Sequence, residues 1–240
     1  MRKKGVISAK YRNEWKYSCT DAFLQGIYPK LKAALNTDKY ADSNGTYSVH
    51  SVYFDDIYDS CVRENDAGLS RRYKYRIRYY GDNIDFLRLE RKEKLDGRCH
   101  KSSALLTIEQ YNKIINSDMS SLLWETDDPV IKRFCTDSIS RHITPKCIVD
   151  YERTAFVEPI TNVRITFDRN ISVSSETDRF LDGGYTKIPI QQKGMGVLEV
   201  KFDDILPSYI RHIITEKGLI QGTFSKYYFG RKELQNKGRI

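Results

Sequence analysis

Residues 73–80 read Tyr-Lys-Tyr-Arg-Ile-Arg-Tyr-Tyr. Aromatic and β-branched residues at this density favour an extended chain. In a strand, residues two apart share a face. Lys74, Arg76, Arg78 and Tyr80 then point one way, and Tyr73, Tyr75, Ile77 and Tyr79 the other. One face is too aromatic to leave in water. The other is too cationic to bury without partners.

The same alternation recurs along the chain. In 11–17, Arg12, Glu14 and Lys16 oppose Tyr11, Trp15 and Tyr17. In 86–94, Arg88, Glu90, Lys92 and Lys94 oppose Leu87 and Leu89. In 162–168, Arg164, Thr166 and Asp168 oppose Val163, Ile165 and Phe167, and in 197–202, Glu199 and Lys201 oppose Leu198, Val200 and Phe202. A single strand of this kind suits the half-exposed sheet of many antiparallel proteins. Five of them, with Arg and Lys dominating one face and large apolar groups the other, fit a closed barrel turned inside out. Apolar faces would lie outward under helices, and charged faces would line a central tunnel. Crowded interior cations repel one another and lose hydration, so the tunnel calls for a polyanion and a metal ion. Arg offers phosphate oxygens a planar bidentate fork, and Lys a compact point charge.

Working outward, strands are expected at 10–18, 46–55, 72–80, 84–94, 98–105, 146–157, 162–171, 187–192 and 196–202. Helix signals are fewer. Thr20 caps a helix to about Leu35 that Pro29 should bend or shorten. Thr107 and Gln110 make a capping box for a helix to about Ile115. Asp128-Pro129 opens one to about Arg141, and Pro207 another that ends before Gly218. Ser43-Asn44-Gly45, Asp96-Gly97 and Gly183-Gly184 read as loop tips. The expected class is α+β, mainly β: a closed antiparallel barrel with helices outside, one domain over residues 1–240.

The 240 residues carry 40 Lys and Arg against 32 Asp and Glu, a net charge of +8 that favours an anionic partner only weakly. No stretch approaches the ~18 apolar residues of a membrane helix, and the charged start shows no secretory signal. Five cysteines without a Cys-x-x-Cys pair argue against a zinc site or disulfide framework, so reduced thiols and a cytoplasmic location are expected. His50, His100, His142 and His212 show no ligand spacing. Asp55-Asp56 and Asp203-Asp204 could chelate a cation but suit turns or caps better. Gly194-x-Gly196 precedes a strand, which excludes a dinucleotide loop.

The pattern Arg12-x-Glu14-x-Lys16-Tyr17 resembles the first-strand signature of the triphosphate tunnel metalloenzymes. Its form is that of the VTC branch, the catalytic domain of polyphosphate polymerase and its bacterial stand-alone relatives. In order follow Tyr75-Arg76-Ile77-Arg78-Tyr79-Tyr80-Gly81, Leu89-Glu90-Arg91-Lys92, Tyr151-Glu152-Arg153-Thr154-Ala155-Phe156, Arg164-Ile165-Thr166-Phe167-Asp168, Leu198-Glu199-Val200-Lys201-Phe202 and Ser225-Lys226-Tyr227. The resemblance implies a tunnel in which Lys16, Arg76, Arg78, Lys92, Arg153, Arg164 and Lys226 act on the phosphates. Arg12, Arg88, Lys94, Lys101, Tyr151, Lys201 and Ser225 would help bind substrate. Glu199, with Glu14 and Glu90, would hold Mn²⁺ or Mg²⁺. Its implied reaction moves the γ-phosphoryl of ATP to a growing inorganic polyphosphate chain.

The hydrolase branches carry two glutamates before the first-strand lysine. Arg12 stands in place of the first, which favours the polymerase. Hydrolysis of inorganic triphosphate or a nucleoside triphosphate on the same fold remains an alternative, as does a non-catalytic polyphosphate- or RNA-binding domain. Nucleic acid would need stacking aromatics on the cationic face, whereas Tyr73, Tyr75 and Tyr79 oppose Arg76 and Arg78. The eukaryotic enzyme also has a regulatory domain and a membrane segment that this chain lacks, so alone it is not expected to move product across a membrane.

Overall fold

A computed structural model describes residues 11–38, 40–42, 44–215 and 219–240. Lys10, Ser43 and Gly218, named above for a strand start, a loop tip and a helix end, lie outside them. The strands are β1 (Asn13–Thr20), β2 (Asn36–Thr37), β3 (Thr46–Asp55), β4 (Arg72–Tyr80), β5 (Asn83–Leu95), β6 (Arg98–Leu106), β7 (Thr144–Glu158), β8 (Val163–Ser174), β9 (Ile188–Pro189) and β10 (Met195–Phe202). The helices are α1 (Asp21–Ala34), α2 (Ser60–Asp66), α3 (Ile108–Ile115), α4 (Met119–Glu125), α5 (Pro129–Arg141), α6 (Ser208–Ile214) and α7 (Lys226–Asn236).

All long strands belong to one antiparallel sheet in the order β1-β10-β8-β7-β3-β4-β5-β6. It curls so that charged faces are concave and apolar faces convex. On the convex side, Ile77, Leu87, Leu89, Phe54 and Tyr75 pack under Ile114, Leu122, Ile131 and Phe134 of α3, α4 and α5. Tyr17, Ile165, Phe167, Leu198 and Val200 pack under Leu24, Ile27, Leu31 and Ile210 of α1 and α6. Pro29 lies inside α1 without ending it. The fully buried Ile27 and Leu31 on either side of Pro29 hold the helix against its cost of ~3 kcal/mol.

The expected closed barrel is not formed. β1 and β6 are the ends of the hydrogen-bonded path, and among the described residues one backbone bridge joins them, Arg12 just before β1 with Cys99, whose N–H···O distances are 2.9 and 2.8 Å. Beyond it the outer edge of β1 is occupied: Tyr17 bridges Gln221, and Gly222 N–H donates to the Lys16 carbonyl at 2.9 Å. An edge already paired to that segment cannot take β6. The sheet is an open half-barrel whose seam holds a chain segment.

A third apolar cluster lies on the concave side. Val49, Val149, Val173 and Val197 meet Tyr227 and Leu234 of α7. Gly230 permits the approach, since a Cβ there would stand 2.9 Å from Val173 Cγ2. One end of the trough is therefore filled by a helix, and the other is left to charged side chains.

Candidate active site

Register brings the charges together. Glu14 lies opposite Lys201 and Lys16 opposite Glu199 across β1 and β10. Arg76 lies opposite Tyr53 of β3 and Glu90 of β5. Arg153 lies opposite Asp168.

Three carboxylate-centred groups result. Glu90, fully buried, accepts from Arg76 at 2.6–2.7 Å and from Lys101 at 2.7 Å, with Arg78 at 4.0 Å. Arg78 also donates to Ser51 at 2.8 Å and to the Tyr151 hydroxyl at 2.9 Å. Asp168, also fully buried, takes a bidentate pair from Arg153 at 2.6 and 2.7 Å and a bond from Lys226 at 2.6 Å. Glu14 accepts from Lys92 at 2.8 and 2.9 Å, and Glu199 pairs with Lys201 at 2.5 Å. Lys16 joins these two carboxylates, 3.6 Å from Glu14 and 3.4 Å from Glu199.

Burial alone would raise the carboxyl pKa values, yet all are lowered. Arg76, Arg78 and Lys101 hold Glu90 well below the usual carboxylate range. Lys201, Lys16 and Lys92 do the same for Glu199. Arg153 and Lys226 bring Asp168 to about 2. The carboxylates are ionised, and the cations around them still outnumber them.

Ser225 caps α7, its Oγ accepting from Tyr228 N–H at 3.3 Å. This places Lys226 at the first helical position, facing Asp168. Lys16 Nζ donates to the Phe224 carbonyl at 2.9 Å, which ties the incoming segment to the trough. A cavity of about 330 Å³ lined by Lys16, Ile220, Thr223 and Phe224 opens at this seam.

Four expected residues stand apart. Arg164 turns to Asp38 at 2.5 Å and the Tyr47 hydroxyl at 3.0 Å. Arg12 turns to Asp203 at 3.0 Å and the Asn162 carbonyl. Arg88 stacks over the Phe86 ring, 4.7 Å from its centroid. Lys94 lies opposite Arg72 and Cys99, and burial lowers its pKa. Strand alternation places each on the charged face, but it cannot tell the middle of a strand from its ends. Glu90 is likewise engaged away from Glu14 and Glu199, and no group of three acidic, His or Cys side chains with metal-ligand geometry occurs among the described residues. Lys74, absent from the expected binding set, joins the site through Ser225 at 3.1 Å. The alternation in 73–80 already placed it beside Arg76.

A family model for the VTC domain matches residues 11–235. The chain belongs to the VTC domain family. No curated protein matches the sequence. Among solved structures, a Hippeastrum protein, HpAC1, named as an adenylyl cyclase with a dominant triphosphatase activity, is similar at a TM-score of 0.56 and 15% identity. The likeness spans 92% of this chain and 96% of that one. An adenylate cyclase candidate from Bacillus halodurans is similar at a TM-score of 0.48 and 10% identity, over 96% and 91% of the two chains. The first likeness agrees with the triphosphate tunnel fold that the sequence resembles. Among the described residues, no helix of this VTC domain is long and apolar enough to cross a membrane.

Proposed function

We propose that the trough binds the phosphates of ATP and of inorganic polyphosphate, and that the protein moves the γ-phosphoryl group from the first to the second. The observation that carries this reading is the buried excess of Arg and Lys around Glu14, Glu90, Asp168 and Glu199. Such an excess is costly when empty and is offset by a polyanion.

In the transfer, the bond from the β–γ bridging oxygen to Pγ breaks. A terminal oxygen of the chain bonds to the same phosphorus, and ADP leaves. No protein nucleophile is required. Negative charge spreads over the three equatorial oxygens in the transition state, so preorganised donors supply most of the stabilisation. Arg76 and Arg78 are held by Glu90, Ser51, Tyr53 and Tyr151, and Arg153 by Asp168. Each guanidinium thus meets the phosphates in a fixed orientation. Lys226 and Lys16 extend the cradle toward the seam, Lys201 joins Lys16 at Glu14 and Glu199, and β5 and β6 add Lys92 and Lys101.

Glu14 and Glu199 are hard oxygen donors, both ionised and joined by Lys16 and Lys201. Two carboxylates fit Mn²⁺ or Mg²⁺ that completes its shell with water and phosphate oxygens. Bound there, the ion would neutralise charge on the transferring group.

Hydrolysis is disfavoured by Arg12. Its side chain pairs with Asp203 at the rim, so the first strand brings a single carboxylate, Glu14, into the trough. Incubation with γ-labelled ATP and Mn²⁺, with products resolved on a gel, tests the choice. A ladder of lengthening polyphosphate is expected. Free phosphate as the sole labelled product would contradict the transfer.

A further inference from the structure

Lys74 stands on the charged face of β4, two residues before Arg76. Its ammonium donates to Ser225 Oγ at 3.1 Å and lies 5.2 Å from the centre of the Tyr227 ring. The groups around Glu90, Asp168, Glu14 and Glu199 each pair cations with a carboxylate. Lys74 forms no ion pair within 4 Å among the described residues, and its cross-strand neighbour is another cation, Lys92, whose charge is taken up by Glu14.

The rest of its surroundings offer no counter-charge at contact distance. From β3 come Tyr53, whose hydroxyl accepts from Arg76, and the buried carboxylate of Asp55, which accepts from the Tyr227 hydroxyl at 2.7 Å and the Cys61 N–H at 3.0 Å and makes no ion pair with Lys74. From α2 come Cys61 and Glu64, and from β7 Cys147. Arg72 shares its strand face. Ser225 Oγ receives two hydrogen bonds, from Lys74 and from Tyr228 N–H, and its own proton has no acceptor among the described residues. An ammonium and a hydroxyl donor thus meet at the first turn of an 11-residue helix, where backbone dipoles also favour an anion.

We propose that Lys74 and Ser225 form a subsite that holds one anionic phosphate oxygen of the oligophosphate, and this rests on the functional reading above. The subsite has a measurable signature. Burial, with Arg72 and Lys92 adding to it, lowers the Lys74 pKa to about 8. An anion at Nζ reverses that lowering, because an opposite charge favours the ammonium. Oligophosphate binding at mildly alkaline pH therefore takes a proton from solvent onto Lys74. Tyr53 titrates there too: burial opposes its ionisation, but Arg76 and Arg78 outweigh it and bring the phenol to about 8.

The test is calorimetric titration of tripolyphosphate at pH 8.5 in two buffers of different ionisation enthalpy. Wild type, Lys74→Arg and Tyr53→Phe are compared. Arg keeps the charge and does not titrate. Wild type should take up roughly 0.7 proton more than Lys74→Arg, the share of a lysine of pKa about 8 that is neutral at this pH. Tyr53→Phe should keep that uptake. The wild-type dissociation constant should rise several-fold from pH 7 to 9 while that of Lys74→Arg stays flatter. At pH 7, Lys74→Gln should bind about tenfold or more weakly. Equal uptake by wild type and Lys74→Arg, or unchanged affinity in Lys74→Gln, would overturn the subsite alone. Failure of the wild type to bind tripolyphosphate at all would overturn the functional reading together with it.

Discussion

At the scale of single residues, the trough is a set of buried ions whose charges are matched locally but not in total. Arg76 and Arg78 share Glu90, and Tyr53, Ser51 and Tyr151 hold their remaining nitrogens on the concave face. Replacing both by Ala should weaken tripolyphosphate binding by roughly a hundredfold or more, since each charge-assisted hydrogen bond is worth about 1.5–3 kcal/mol. Calorimetry reads the loss, and thermal melting confirms that the variant is folded. Asp168 makes a second prediction. Its folded pKa of about 2 lies below the unfolded value near 3.9, so its stabilising effect is present above pH ~4 and is lost as pH falls toward 2. The shift corresponds to about 2–3 kcal/mol. Asp168→Asn should lower stability at pH 7 by about 3–5 kcal/mol, because Arg153 and Lys226 lose their partner. Its stability should also vary less with pH between 4 and 2, as read by denaturant unfolding.

At the scale of elements, α7 links fold to site. Its Gly230 faces Val173, and its first residue, Lys226, faces Asp168. Gly230→Ala should push the helix off the sheet. We expect a loss of about 1–3 kcal/mol and weaker tripolyphosphate binding, since Ser225 and Lys226 move with it. Gly26 in α1 has open space around its missing Cβ, so Gly26→Ala should stabilise by about 0.5–1 kcal/mol. Thermal melts of the two variants should move in opposite directions. The long strands were legible to within a few residues because their period-2 alternation is strong; 46–55 and 72–80 agree at both ends. The Asp96-Gly97 turn was legible too, both residues having the positive φ of a two-residue hairpin loop. α7 was not. Tyr227, Tyr228 and Phe229 favour strands and Gly230 weakens helices, so the Ser225 cap was the one local sign of it. α2 gave still less, since its N-cap Asp59 adopts a left-handed conformation and makes no side-chain cap.

At the scale of the whole molecule, register converts the alternation of many separate strands into one concave charged surface. The faces of Lys16, Arg76, Lys92 and Glu199 were legible from spacing alone, whereas Arg153 was reached only through the family resemblance. The open seam was not, because nothing in β1 or β6 tells that Gln221 and Gly222 occupy the edge where the barrel would close. Nor did spacing show that Arg12 and Arg164 end on rim carboxylates. The central claim is that a phosphate chain lies in this trough, among these buried cations. A crystal structure of the protein with tripolyphosphate tests it most directly. Phosphate density within hydrogen-bond distance of Arg76, Arg78, Arg153 and Lys226 is the result we expect. Tripolyphosphate bound on the convex surface with the trough left to water would contradict the account.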